Sequence, residues 1–332
     1  MSAGPRVTER FEPAWWLRDP HAQTIWSKFA RRTPFVRSRR ERWELDDGDF
    51  LELERHDAPV PAPRLLLLHG LEGSPRSHYV RGFFAEAERR GWAADLLIFR
   101  CCGEEPNRLM RSYHSGETGD LDMVVQRIIA AEPGRPLALA GVSLGGNVLL
   151  KWLGERGADV PREIARAAAI SAPFDLARGS RHLERGFSRV YAAHFLRSLK
   201  AKAREKHARF PDAAEWDRVE RARTIWDFDD AMTAPVHGFH DALDYYTRSS
   251  SIRFLSRIRI PTLLLNAADD PFLPRDVLDA VRTIAVANPD LVLEFPEHGG
   301  HVGFVAGPAP WRPSYYAEAR AVDFLATRAR LR

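Results

Sequence analysis

A serine, a pair of aspartates and a pair of histidines stand in that chain order, each in a turn marked by glycine or proline. Ser143 lies in "GVSLGGN" (141–147), Asp269 and Asp270 in "NAADDPFLP" (266–274), and His298 and His301 in "PEHGGHVGF" (296–304). A serine hydroxyl is a poor nucleophile unaided, so it needs a base to take its proton and an acid to orient that base. Serine, then acid, then histidine is an order in which a strand-borne nucleophile finds its partners on later loops. The chemistry of such a set is acyl transfer through a covalent acyl-serine.

The pattern GxSxG alone arises by chance in roughly one of ten chains this long, so its flanks must decide. Pro136 to Ala140 reads as a buried strand, and "GNVLLKWLGERG" carries apolar residues at helical spacing. A strand that turns directly into a helix crowds the backbone around the serine, which accounts for Gly141 and Gly145, with Gly146 adding room. The helix N-terminus then directs N–H groups toward negative charge developing near Ser143.

Asp270 is the preferred acid, because it stands immediately before the turn "DPFLP"; Asp269 reads as a loop-capping carboxylate. His301 is the preferred base, because Gly299-Gly300 forms a flexible turn that can carry its ring over the strand ends. His298, closer to the strand, reads as exposed or structural. The loop "LLLLHGLEGSP" (65–75) offers the backbone N–H of Leu71 to pair with that of Leu144 as oxyanion donors. His69 in that loop reads as a brace.

These residues need a scaffold. "RLLLLHG", "AADLLIFR", "PLALAGVS", "ARAAAISAP", "PTLLLNAAD" and "DLVLEFPE" are short apolar runs without alternation, as expected of strands buried on both faces. Helical segments such as 77–91 and 115–132 fall between them, and the hairpin pattern "RWELDDGDFLELERH" precedes them. The fold class is therefore α/β, a mostly parallel central sheet flanked by helices. Residues 175 to 257 are charged and helical in pattern, and read as a helical cap or a solvated flank.

The chain has 332 residues, 45% of them hydrophobic, and a net charge of only +4, with arginine outnumbering lysine. This balance does not call for nucleic acid. The only cysteines, Cys101 and Cys102, are adjacent, which suits a reducing compartment rather than a disulfide framework. The N-terminus lacks the apolar core of a signal peptide, and a cytoplasmic protein is expected. Residues 1–40 combine an aromatic stretch with a basic one and read as an arm packed on the domain, with weak membrane-surface contact as the alternative. No phosphate-binding glycine loop, zinc-ligand spacing or paired general-acid carboxylates compete, so no cofactor and no metal are expected.

The residues resemble the α/β-hydrolase fold, and more narrowly its YheT-like branch related to the ABHD1 and ABHD3 hydrolases. "PAWWLRDPHAQTIW", "HGLEGSPRSHY", "EPNRLMRSYHSGETGDL", "GVSLGGN", "PVHGF", "NAADDPF" and "GGHVGF" carry the resemblance. It implies a serine carboxylic-ester hydrolase with Ser143, Asp270 and His301 at the triad positions and "HGLEGS" at the oxyanion loop. It also implies that residues 1–40 are an arm of a hydrolase domain spanning 41–332, with its cap at about 175–257. One departure is "FRCCGEEPNR", where the family usually has a glycine beside the cysteine; Cys101 narrows that loop, its thiol buried or reactive. Asn107, Arg108, His114 and Thr118 follow, either shaping the pocket rim or tying the loop down.

The aromatic and apolar "FHDALDYY" and "PVHGF" favour an acyl or lipid-like ester over a charged substrate. Acyl transfer, thioester cleavage or phospholipid cleavage would use the same residues, whereas a catalytically silent binding protein at a membrane surface would not need them. A histidine base works only when neutral, so ester turnover should fall as pH drops below about 6 to 7. A rate that stays flat from about pH 5 to 8 would exclude His301 as the base.

Overall fold

The computed structural model describes residues 10–327, so the first nine residues of the expected arm lie outside it. The aliphatic runs become β3 (Arg64–Leu68), β4 (Ala93–Ile98), β5 (Leu137–Val142), β6 (Ala167–Ile170), β7 (Thr262–Leu265) and β8 (Leu291–Glu294). The hairpin before them supplies β1 (Arg39–Glu44) and β2 (Phe50–His56). Together they form one sheet in the order β1-β2-β4-β3-β5-β6-β7-β8. β1 and β2 pair antiparallel, β2 joins β4 antiparallel, and every pairing from β4 to β8 is parallel.

Twelve helices accompany the sheet among the described residues. Four precede β6: α1 (Pro20–Ala30), α2 (His78–Arg89), α3 (Gly119–Ala131) and α4 (Leu144–Arg156). Between β6 and β7 come α5 (Leu176–Leu183), α6 (Ser188–Arg209), α7 (Trp216–Arg221) and α8 (Ile225–Phe228). A π-helical turn (Asp229–Thr233), α9 (Ala234–Val236) and α10 (Ala242–Ser249) complete that interval. α11 (Arg275–Val286) and α12 (Tyr316–Ala326) follow. None is long and apolar enough to cross a membrane.

The missing alternation in β3 has a direct cause. Leu66 and Leu68 pack toward α3, α4 and α11, while Leu65 and Leu67 pack toward α2 and α12, so neither face can be polar. A further antiparallel pair, β9 (Val305–Ala309) and β10 (Arg312–Tyr315), lies outside the sheet. The sequence reading ends the strands at 290–297 and misses this pair, because Gly307, Pro308 and Pro313 break any strand pattern. Residues 11–27 are not a loose arm: Phe11, Ala14, Leu17, Gln23 and Ser27 are buried.

One buried charge network ties the sheet edge together. Arg64, at the start of β3, sends Nη1 to Asp95 of β4 at 2.7 Å, and Arg55 of β2 reaches the same carboxylate oxygen at 3.1 Å. Arg64 also grips Glu132 with Nε and Nη2, at 2.8 and 3.0 Å. Burial outweighs both guanidinium groups and pushes the Asp95 carboxyl up. Removing one partner from such a set leaves a charge poorly compensated. Arg64→Met should therefore lower unfolding free energy by about 3 kcal/mol in denaturant titration, and adding Asp95→Leu should recover part of it. A loss under about 1 kcal/mol would show that the network contributes little.

Candidate active site

Ser143 stands between β5 and α4 with φ 53° and ψ −121°. A non-glycine residue holds this backbone only where its surroundings over-determine it. Here they do: a Cβ on Gly145 would lie 2.5 Å from the carbonyl oxygens of both Leu68 and His69, and one on Gly141 would lie 2.4 Å from Gly145 O. The first turn of α4 thus rests directly on the end of β3, and the Ser143 N–H donates to Ile170 O of β6 at 2.8 Å. The hydroxyl is held at the C-terminal edge of the sheet, where open α/β sheets carry their ligand sites.

Of the two aspartates and two histidines, the fold makes two separate pairs. His301 Nδ1 lies 2.9 and 3.1 Å from the two carboxylate oxygens of Asp270, and its Nε2 lies 2.9 Å from Ser143 Oγ. Asp270 also accepts the Phe272 N–H at 2.8 Å, and the Phe272 ring stacks on the imidazole at 3.9 Å between centroids. Asp269 instead accepts the Gly300 N–H at 2.9 Å and faces His298 Nδ1 at 3.1 Å. Burial pushes the Asp269 carboxyl up. The His298 side chain is 52% exposed against 8% for His301, and only the Asp270–His301 pair reaches Ser143.

The turn that carries His301 is tied down through three of its backbone N–H groups. The N–H of His301 donates to Thr24 Oγ1 of α1 at 2.9 Å, that of Val302 to Ser171 Oγ at 3.0 Å, and that of Val305 to Gln23 Oε1 at 2.7 Å. Gln23 Nε2 donates in turn to Leu17 O and Val305 O. A Cβ on Gly300 would lie 2.4 Å from Pro20 O, so the glycine serves close packing against α1 rather than mobility. Reading the sequence for chemistry missed Gln23 and Thr24, because their side chains only hold backbone. "PHAQTIW" signals them solely as part of the family resemblance.

Leu71 and Leu144 both line the cavity at Ser143. Neither backbone N–H has an acceptor among the described residues, as expected for the first residue of α4. The loop bearing Leu71 is braced from every side. The His69 ring, fully buried, donates from Nδ1 to Gly70 O at 2.7 Å and accepts the Phe99 N–H on Nε2 at 3.2 Å. Burial pushes this ring down to about 4, which keeps it neutral. Tyr79 Oη accepts the Gly70 N–H, and Tyr113 Oη accepts the Glu72 N–H while donating to Glu72 Oε1. Burial works to raise the Glu72 carboxyl, but Lys202 at 2.7 Å, with Ser198 and Tyr113, holds it below the usual range. Glu72, Tyr113 and Lys202 escaped the sequence reading, since only the fold brings positions 72, 113 and 202 together.

The remaining candidates divide. Cys101, at the usual family glycine, adopts φ 65°, the left-handed region that glycine tolerates better, and its N–H donates to Asn107 Oδ1. Its side chain is half-buried, and burial raises its thiol. The Cys102 thiol, 3.4 Å from Lys202 Nζ, is pushed up to about 12 by burial. Asn107 ties its loop to Asp49 and Phe50, Arg108 pairs with Glu44, and Thr118 donates to Glu155. Of that set only His114 lines the cavity, its ring pushed down to about 3, chiefly by burial.

The cavity measures about 840 Å³, counting its open mouth. Its floor is Ser143, Leu144, Leu71 and His301, and its walls come largely from residues 176–246: Leu176, Leu183, Phe195, Leu199, Ile225 and Tyr245 among them. The interval between β6 and β7 therefore covers the site rather than standing beside it.

A family profile described as alpha/beta hydrolase fold matches residues 63–308. The chain is 40% identical over 312 residues to the putative esterase YheT of Escherichia coli, covering 92% of this chain and 90% of that protein. It is 32% identical over 320 residues to mouse phospholipase ABHD3, covering 94% of this chain and 77% of that one. Among solved structures, Pyrococcus furiosus esterase PF2001 superposes with a TM-score of 0.53 at 16% identity, over 90% of this chain and 88% of that one, a likeness of fold. The chain belongs to the alpha/beta hydrolase family, in the branch that holds YheT and ABHD3.

Proposed function

We propose that this protein is a serine hydrolase that cleaves carboxylic esters of acyl or lipid-like substrates through an acyl-serine intermediate. One observation carries the reading: an unbroken hydrogen-bonded line from Asp270 through His301 to Ser143, ending at the floor of a largely apolar cavity. In this mechanism Asp270 accepts the Nδ1–H of His301 and fixes its tautomer, leaving Nε2 to take the Ser143 proton as Oγ attacks the ester carbonyl. The N–H groups of Leu71 and Leu144 donate to the resulting oxyanion. Collapse expels the alcohol, protonated by His301, and water then attacks the acyl-serine with His301 again as base.

The names of relatives fit this class: a putative esterase at 40% identity and a phospholipase at 32%. The second name favours a narrower reading in which the ester belongs to a phospholipid. Passage of the acyl group to an alcohol or thiol would use the same residues, and product analysis with competing alcohols separates transfer from hydrolysis.

A fluorophosphonate should label the protein covalently, and Ser143→Ala should abolish that labelling. Asp270→Asn should slow ester turnover by about 10³ to 10⁴, because the imidazole loses the acceptor that sets its tautomer, whereas Asp269→Asn should cost under about tenfold. Labelling that survives in Ser143→Ala, or a larger loss from Asp269→Asn than from Asp270→Asn, would overturn the assignment. Turnover across an acyl-chain series from acetyl to palmitoyl esters then defines the substrate length.

A further inference from the structure

The cavity at Ser143 is largely apolar, but polar side chains gather where the interval between β6 and β7 lines it. There the π-helical turn Asp229–Thr233 directs a buried carboxylate to the cavity wall. Thr233 Oγ1 donates to Asp229 Oδ1 at 2.6 Å and Tyr246 Oη donates to Asp229 Oδ2 at 2.6 Å. Ser180 Oγ lies 3.3 Å from Tyr246 Oη, and all four side chains line the cavity. No lysine, arginine or histidine pairs with Asp229 among the described residues, while its neighbour Asp230 is engaged separately by Arg218 and the Ala242 N–H.

A carboxylate buried without a cation is costly, and each of its oxygens receives only one of the two hydrogen bonds it can accept. An amide or an apolar residue would serve packing alone at lower cost. π-Turns inside helical runs recur at functional sites. We infer that Asp229, with Thr233, Tyr246 and Ser180, forms a polar subsite that receives a hydrogen-bond donor, a hydroxyl or an ammonium, at the far end of the chain bound in the cavity. Burial pushes the Asp229 carboxyl up to about 6, so it is ionised above that pH, when it accepts hydrogen bonds and repels anions. Substrates ending in a free carboxylate are then excluded, and those ending in a donor are favoured over a plain alkyl end.

The inference rests on the reading of the cavity as an acyl site, and two measurements keep the two apart. In the first, p-nitrophenyl esters of matched length, from butanoyl to dodecanoyl, carry a methyl, hydroxyl, ammonium or carboxylate at the far end. At the length that spans the cavity, kcat/KM above about pH 7 should favour the hydroxyl or ammonium end over the methyl end by at least about tenfold, with the carboxylate poorest. Asp229→Asn should retain a preference for hydroxyl and lose that for ammonium, which tells the two donors apart; Asp229→Leu should lose both. A merely structural role would lower stability without moving these ratios. In the second, straight-chain alkylammonium and alkanoate ions compete with fluorophosphonate labelling of Ser143, a readout independent of turnover. The ammonium should protect at a concentration at least about tenfold lower, and this advantage should vanish in Asp229→Asn.

Ratios near one at every length, or equal protection by both ions, would overturn the subsite. Labelling and selective protection without turnover of any ester would instead overturn the esterase reading and leave the subsite standing.

Discussion

Everything at the site depends on how closely the first turn of α4 approaches the end of β3. With the Cβ of any larger residue at 145 forced to within 2.5 Å of two backbone carbonyls, the contact admits glycine alone. That contact sets the positive φ of Ser143 and places its hydroxyl beside the loop that begins at His69. Ser143 and that loop therefore share one closely packed neighbourhood. The loop needs its own bracing by His69, Tyr79 and Tyr113, because its turn from the sheet leaves several N–H groups that the strands cannot satisfy.

The second half of the site is assembled from distant parts of the chain. His301 sits on a turn whose N–H groups are taken up by Thr24, Ser171 and Gln23, so the segment near the N-terminus works as a clamp on the imidazole loop. α1 also meets the cap: His21 packs against Phe187 and Tyr191, and Tyr191 packs against Phe272, which stacks on His301. Aromatic contacts thus run from α1 through α6 to the imidazole. A displacement of the cap would be felt at His301 through these rings, not only at the cavity mouth.

The cap supplies most of the cavity wall, and its composition explains why it looks unlike a core in sequence. Its helices spend arginine, lysine and glutamate on outward faces while Leu176, Phe195, Leu199 and Ile225 turn inward. Apolar residues diluted this way do not mark a buried face by themselves, which is why the interval could be read equally as a solvated flank. The buried Asp229, invisible against so many surface acids, is distinguished only by the π-turn and by the hydroxyls of Thr233 and Tyr246.

Local patterns in the chain determined the α/β class, the six parallel strands, the hairpin and the strand-turn-helix at Ser143, because each depends on residues near one another in sequence. The order of serine, acid and histidine was likewise legible. The choice of Asp270 over Asp269 and of His301 over His298 was argued from turn residues alone; in the fold Asp269 faces His298, while Asp270 faces His301, the histidine whose Nε2 lies beside Ser143. The roles of Gln23, Thr24, Glu72, Lys202 and Asp229 could not be read from the residues beside them. Those of Gln23, Thr24, Glu72 and Lys202 arise from hydrogen bonds between residues tens to hundreds of positions apart, while Asp229 is bonded by Thr233 and Tyr246, 4 and 17 positions on, and only the tertiary structure decides which of a chain's many polar side chains are buried together.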